Sequence, residues 1–379
     1  FNEINCHTGG ITSTVNLYGN MREPEKYRIM VELRCKALVS DTDFGFAIMR
    51  EILSRTRLTD TKRLYEIIAR VKSRAQASLA SAGHSTAVLR GASYASPMAA
   101  FQDEMAGIGY YQFIEKLEKD FEQRKEETVE ELCKLMKKIL RPENFMISYT
   151  GERESLETVQ KLAGTVKAGR GTEPVEKSKE KLTCTKKNEG FKTSGQVQYV
   201  AQTGNFKKKG LEYTGALEIL KVILSYDYLW MNLRVKGGAY GCMSGFKRNG
   251  ESYLVSYRDP HLKRTLDVYK GIPDYIRNFQ ADEREMTKYI IGTISGKDVP
   301  RTPQMKGSVS KTAYFCGVTE EMLQKERDQI LNASAEDIHA LAEIIEAVLA
   351  ADQICVVGSE SKVAEASDVL MEVKPLINC

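Results

Sequence analysis

The stretch Arg234-Val235-Lys236-Gly237-Gly238-Ala239-Tyr240 sets a guanidinium and a phenol six positions apart across a pair of glycines. Guanidinium carries five N–H donors and phenol one O–H. Such a pair can hold a substrate carbonyl and stabilise the charge that builds on its oxygen when an amide is attacked. An arginine and a tyrosine at this spacing also suit an ordinary strand entry, and the spacing alone does not separate the two readings.

For both side chains to reach one opening, Arg234 must stand near the end of a helix and Tyr240 at the start of a strand, with Gly237-Gly238 turning the chain between them. The flanking sequence supplies those elements. Residues 216–224 form an almost wholly apolar helical run, predicted to be buried on several sides. Strands are expected around 243–246 and 253–257, joined by the hairpin signal Arg248-Asn249-Gly250, and another through Val197, Tyr199 and Ala201. Nearer the start, residues 10–17 alternate apolar and polar side chains, as do Ile29, Val31, Leu33 and Cys35. Helical periodicity follows at Phe44, Ala47, Ile48 and Ile52 and at Leu64, Ile67, Ile68 and Val71.

An internal repeat organises these elements. Val129, Leu132, Leu135, Met136, Ile139 and Leu140 lead through a polar corner to the expected strand Phe145-Met146-Ile147-Ser148-Tyr149. The same pattern returns as Ile338, Leu341, Ile344, Ile345, Val348 and Leu349, then Ile354-Cys355-Val356-Val357, at a constant offset (338 against 129, 349 against 140). A glycine, Gly151 or Gly358, a polar turn and a further helical stretch follow each strand. Two copies of one supersecondary unit predict two homologous domains, residues 1–166 and 193–379, each α+β with a mostly antiparallel sheet and its own core. Between them, residues 167–192 mix lysines and glutamates with little to bury, and are expected to be a charged, solvated linker.

The segment 234–240 resembles the Arg/Tyr segment in the C-terminal half of the insulinase (pitrilysin) family of zinc peptidases, in particular its presequence peptidase branch. Four further stretches are similar and stand in that branch's order. They are Ser256-Tyr257-Arg258-Asp259-Pro260 with Thr265-Leu266-Asp267-Val268-Tyr269, Ile291-Gly292-Thr293-Ile294, Thr302-Pro303-Gln304-Met305-Lys306-Gly307, and more loosely Gly83-His84-Ser85 to Ser96-Pro97. The family's inverted zinc motif, His-x-x-Glu-His with a downstream glutamate, has no counterpart. The four histidines, His7, His84, His261 and His339, are too far apart in sequence to place two ligands on one helical face. The chain begins at Phe1 without an initiator methionine, so it is expected to be the non-zinc half of a longer peptidase.

The resemblance implies two domains of the insulinase-type peptidase fold, and catalytic roles for Arg234 and Tyr240 as donors to the substrate backbone or the oxyanion. It also implies zinc bound by the N-terminal half and none in this chain, so that this chain alone is inactive. The partners it implies are that N-terminal zinc-bearing half and short unstructured peptides, which are enclosed in a chamber and hydrolysed there. The alternative is a non-catalytic structural or peptide-binding subunit of the same fold.

Composition narrows the remainder. With 379 residues and 42% hydrophobic side chains the chain can bury a sizeable core. Its net charge of +4 provides no general attraction to nucleic acid or membrane, and no apolar run is long enough to cross a bilayer. Eight scattered cysteines without a Cys-x-x-Cys pair suit reduced thiols in a reducing compartment: the bacterial cytoplasm, or the mitochondrial matrix if the source is eukaryotic. His84 is expected in a polar loop, structural or exposed, with substrate or interdomain contact as the other reading. His7 beside Cys6 is read as structural, on a strand whose adjacent residues point apart. Ser295-Gly296-Lys297 lacks the earlier glycine of a phosphate loop, and the charge-rich helix 115–131 reads as a solvated face.

Overall fold

A computed structural model describes residues 2–23, 25–167, 182 and 184–377. The eight strands among them are β1 (Ile11–Gly19), β2 (Tyr27–Cys35), β3 (Glu189–Thr193), β4 (Tyr199–Asn205), β5 (Gly241–Phe246), β6 (Glu251–Tyr257), β7 (Gln353–Ser359) and β8 (Glu372–Pro375). β1 and β2 form an antiparallel hairpin, and the other six form one sheet in the order β5-β6-β4-β7-β3-β8. Pairing is antiparallel from β5 to β7 and parallel through β3 to β8. The α+β class read from the sequence is therefore the observed one.

β7 explains how the molecule is layered. Ile354, Cys355, Val356 and Val357 are all buried, an unbroken apolar run that requires cover on both faces. Val356 lies opposite Val200, and Cys355 opposite Ala201. Val200, Leu254, Ile354 and Val356 face a core made with the helices Ala216–Tyr226 and Ala342–Ala350. Ala201, Val255, Cys355 and Val357 face a second core with Leu79, Ala87, Tyr94, Ile108 and Tyr111. Those five residues come from helices and a turn N-terminal to position 120, among them the helix Gly83–Ser93.

The second part of the chain thus has a core of its own and shares a further one with the first part, which the expectation of separate cores did not include. A helix covers one face of a sheet, so the opposite apolar face must be covered by other elements, and here the first part of the chain supplies them. The expected strand 145–149 is likewise absent. The segment pairs with no other strand among the described residues, and Met146, Ile147 and Tyr149 are exposed. Apolar alternation predicts a strand only where a neighbouring strand can satisfy its N–H and C=O groups. The counterpart 353–359 has two such neighbours. The helical run 338–349 is broken into Ala335–His339 and Ala342–Ala350, with Ile338, Leu341, Ile345 and Val348 still buried together.

Of the expected linker, 168–181 and 183 lie outside the described residues, while 189–192 are part of β3. Glu189, read as one more solvated charge, is fully buried. Arg90 donates to it through Nε at 2.5 Å and Nη2 at 3.0 Å, and Lys374 lies 2.6 Å from its Oε1. Arg90 also donates to Asp103 at 2.6 Å, whose carboxylate accepts the backbone N–H groups of Ile108 and Gly109. Every charge in this network is paired, so it can be buried where the first part of the chain meets the sheet.

Candidate functional site

The corner between Arg234 and Tyr240 is built by an irregular helix end. Residues Trp230–Val235 form a π-turn, closed by Lys236 N–H donating to Met231 O at 2.9 Å. Gly238 N–H then donates to Arg234 O, and Ala239 N–H to Leu233 O, both at 2.9 Å. The two glycines are needed for different reasons. Gly238 has φ +79°, which disfavours any side chain, whereas a Cβ on Gly237 would lie 2.5 Å from the Leu233 carbonyl oxygen. Leu233 and Ala239 are buried and anchor the turn, leaving Arg234 half-buried and Tyr240 62% exposed one residue before β5.

The pair predicted to act together is brought together. Arg234 Nη1 donates to the Tyr240 carbonyl oxygen at 2.6 Å, and its guanidinium carbon stacks 4.3 Å from the Trp230 ring centre and 5.4 Å from that of Tyr240. Among the described residues Arg234 has no ion pair and the Tyr240 hydroxyl no hydrogen-bond partner. The guanidinium is fixed through one N–H, and its other donors remain available beside a free phenol.

Neighbours that no spacing rule singles out complete the surface. Tyr257 meets Tyr240 edge-on at 5.8 Å, and the Arg258 guanidinium lies 5.5 Å from the Tyr257 ring and 5.9 Å from the Tyr240 ring. Hydrogen bonding to Tyr199 and the nearby phenols favour the charged form of Arg258, raising its pKa. Tyr199 packs on Tyr257 at 5.5 Å, and His84 stands edge-on to Tyr257 at 5.0 Å. Tyr257 and Arg258 belong to one of the stretches that carry the resemblance, but their proximity to Tyr240 depends on strand register.

His84 is not in a loop. It is the second residue of the helix Gly83–Ser93, whose first residue approaches β4 so closely that a Cβ on Gly83 would collide with the Tyr199 ring. Its Nδ1 is buried without a hydrogen-bond partner, and burial lowers its pKa. The ring packs on Tyr199 and Tyr257, which fits a structural role. His7 and Cys6 lie on the helix Asn2–His7, not on a strand, and His7 Nδ1 is 2.8 Å from Asp41. His339 Nε2 is 2.6 Å from Phe279 O. His7, His84 and His339 thus have separate surroundings. Ser295-Gly296-Lys297 ends the helix Glu283–Lys297, with Lys297 paired to Glu326.

The chain matches pitrilysin with a TM-score of 0.56 at 12% identity, over 92% of this chain and 35% of that one. It matches a conserved protein from Enterococcus faecalis V583 with a TM-score of 0.61 at 12% identity, over 95% and 84%. These likenesses establish the fold.

Sequence places the chain within that fold: it belongs to the insulinase family, near the presequence peptidases. Residues 188–361 match the family model described as PreP C-terminal domain, and residues 1–117 match a second model, that of a region associated with peptidases of this family. The chain is 39% identical over 376 residues to Protein HypA of Clostridium perfringens, covering 99% of this chain and 38% of that protein. It is 29% identical to Presequence protease 1, chloroplastic/mitochondrial, of Arabidopsis thaliana, covering 91% and 32%. The chain therefore spans roughly a third of the length of these curated relatives.

Proposed function

We propose that this chain is the non-zinc portion of a zinc metalloendopeptidase that degrades short unstructured peptides in an enclosed chamber, and that Arg234 and Tyr240 are its donors to the substrate. The observation that carries this reading is the Arg234–Tyr240 corner: two adjacent groups with free donors, fixed by the turn and facing solvent. In this reading the Tyr240 hydroxyl donates to the carbonyl oxygen of the bond under attack. The Arg234 guanidinium, already held through Tyr240 O, adds donors and positive charge as that oxygen becomes negative.

The sequence carries no His-x-x-Glu-His motif, so in this reading the metal and the general base belong to a zinc-bearing partner portion, and no step is routed through them here. The chamber wall and the selection of substrates by size belong to the same proposal. So does its location in a bacterial cytoplasm or a mitochondrial matrix; no described helix is long and apolar enough to cross a membrane. Removing one preorganised oxyanion donor costs on the order of 10²–10³ in kcat. Tyr240→Phe in the assembled enzyme is expected to lower peptide turnover by that order while leaving the circular dichroism spectrum and melting temperature unchanged. Undiminished turnover would remove Tyr240 from the mechanism.

A further inference from the structure

The strand register contains an irregularity at Arg258. Along β4 and β6, Ala201 lies opposite Val255. The next bridge joins Gln198 to Asp259, with N–H···O bonds of 2.7 and 2.8 Å in the two directions. Residues 199–200 thus stand against 256–258, one residue more on that side, and Arg258, whose φ of +51° is one that side-chain-bearing residues rarely adopt, marks this β-bulge. Regular alternation would send Tyr257 and Arg258 to opposite faces. The bulge instead brings the Arg258 guanidinium to both the Tyr257 and Tyr240 rings. Asp259, almost fully buried, pins the backbone by accepting from His261 N–H at 2.9 Å and Thr265 Oγ1 at 2.6 Å. On the other side, Tyr240 N–H reaches the carbonyls of both Tyr257 and Arg258, at 3.1 and 3.3 Å.

Apart from the buried Asp259 carboxylate, which is spent on the backbone and Thr265, the charges that gather at this corner are basic. Arg234, Lys236, Arg258 and Arg264 gather here, with Arg264 donating to Lys236 O, and none of the four forms an ion pair among the described residues. Guanidinium groups next to an exposed phenol and free of acidic partners match a ligand carboxylate.

We propose that Arg258, held against Tyr240 by this bulge, is a specificity-determining residue that binds the side-chain carboxylate of an Asp or Glu in the bound peptide. The proposal rests on the reading of the Arg234–Tyr240 corner as a peptide site. The Arg258 guanidinium is 5.9 Å from the Tyr240 ring, about two residues of extended chain at roughly 3.3 Å each. The carboxylate therefore lies within about two residues of the carbonyl that Tyr240 contacts. In an endopeptidase that group is a side chain and not the peptide's C-terminus.

The test is fluorescence anisotropy with this 379-residue chain and labelled, unstructured, C-terminally amidated peptides that differ only in a central Glu or Gln. A third peptide carries the Gln with a free C-terminus. The Glu peptide is expected to bind about tenfold tighter than the Gln peptide, as a charge-assisted hydrogen bond gives. Arg258→Gln should erase that preference, so that Glu and Gln peptides bind the variant equally. Arg258→Gly suits the bulge backbone, so it should also erase the preference while melting no lower than wild type. Equal binding of Glu and Gln peptides, or a preference only for the free C-terminus, overturns the inference and leaves the peptide site standing. Binding of none of the peptides overturns the site reading and the inference together.

Discussion

Glu189 keeps a negative charge in the middle of the molecule because its partners outweigh its burial. Burial works to raise its pKa, but the hydrogen bonds and charges of Arg90 and Lys374 hold it down to about 2. A carboxylate depressed in the folded state contributes stability that is complete above its unfolded value, near 4.5, and is lost as pH falls through the folded value. Urea midpoints are therefore expected to decline as pH falls from about 4.5 towards 2, and Glu189→Gln should flatten that decline. An unchanged slope in the variant would show that other carboxylates govern it. Arg90→Met leaves Glu189 and Asp103 buried with a partner missing, which typically costs about 3–5 kcal/mol. Chemical denaturation measures that loss directly, and a cost below about 1 kcal/mol, as at a surface pair, would contradict the account.

At the scale of elements, legibility follows locality. The strands β1 and β2, the apolar helix Ala216–Tyr226 and the β5–β6 hairpin are readable because period and turn chemistry are local signals. The 234–240 corner is readable for the same reason, since glycines and anchoring residues lie within a few positions of both donors. The expected strand at 145–149 fails because a strand also requires a neighbour, and sequence alternation does not contain one. Arg258 as a neighbour of Tyr240, and His84 as a neighbour of Tyr257, escape notice because a one-residue bulge and a helix from far upstream bring them there. Burial of Glu189 is hidden in a lysine-rich run whose partners lie at Arg90 and Lys374. The shared core at the sheet face makes a mechanical prediction. Helices from the first part of the chain and the six-stranded sheet should unfold together, giving one calorimetric transition in which Tyr94 and Tyr199 report the same midpoint. Two resolved transitions would mean that this core is not shared.

Over the whole molecule, the parts expected as two domains, 1–166 and 193–379, share a core. The first part covers a face of the second part's sheet, and its helix Gly83–Ser93 brings His84 to the tyrosines beside Tyr240. Any chemistry at that corner therefore depends on both parts of the chain being folded against each other. Relatives roughly three times as long supply the rest of the setting, and the proposal assigns the metal to that remainder. The most direct test is hydrolysis of a short unstructured peptide by this chain alone, by a separately prepared zinc-bearing N-terminal portion, and by the two mixed with zinc. The account predicts turnover only in the mixture, and a loss on the order of 10²–10³ when Tyr240→Phe replaces the wild-type chain. A stable complex of the two that hydrolyses nothing would contradict it and leave a binding or structural subunit.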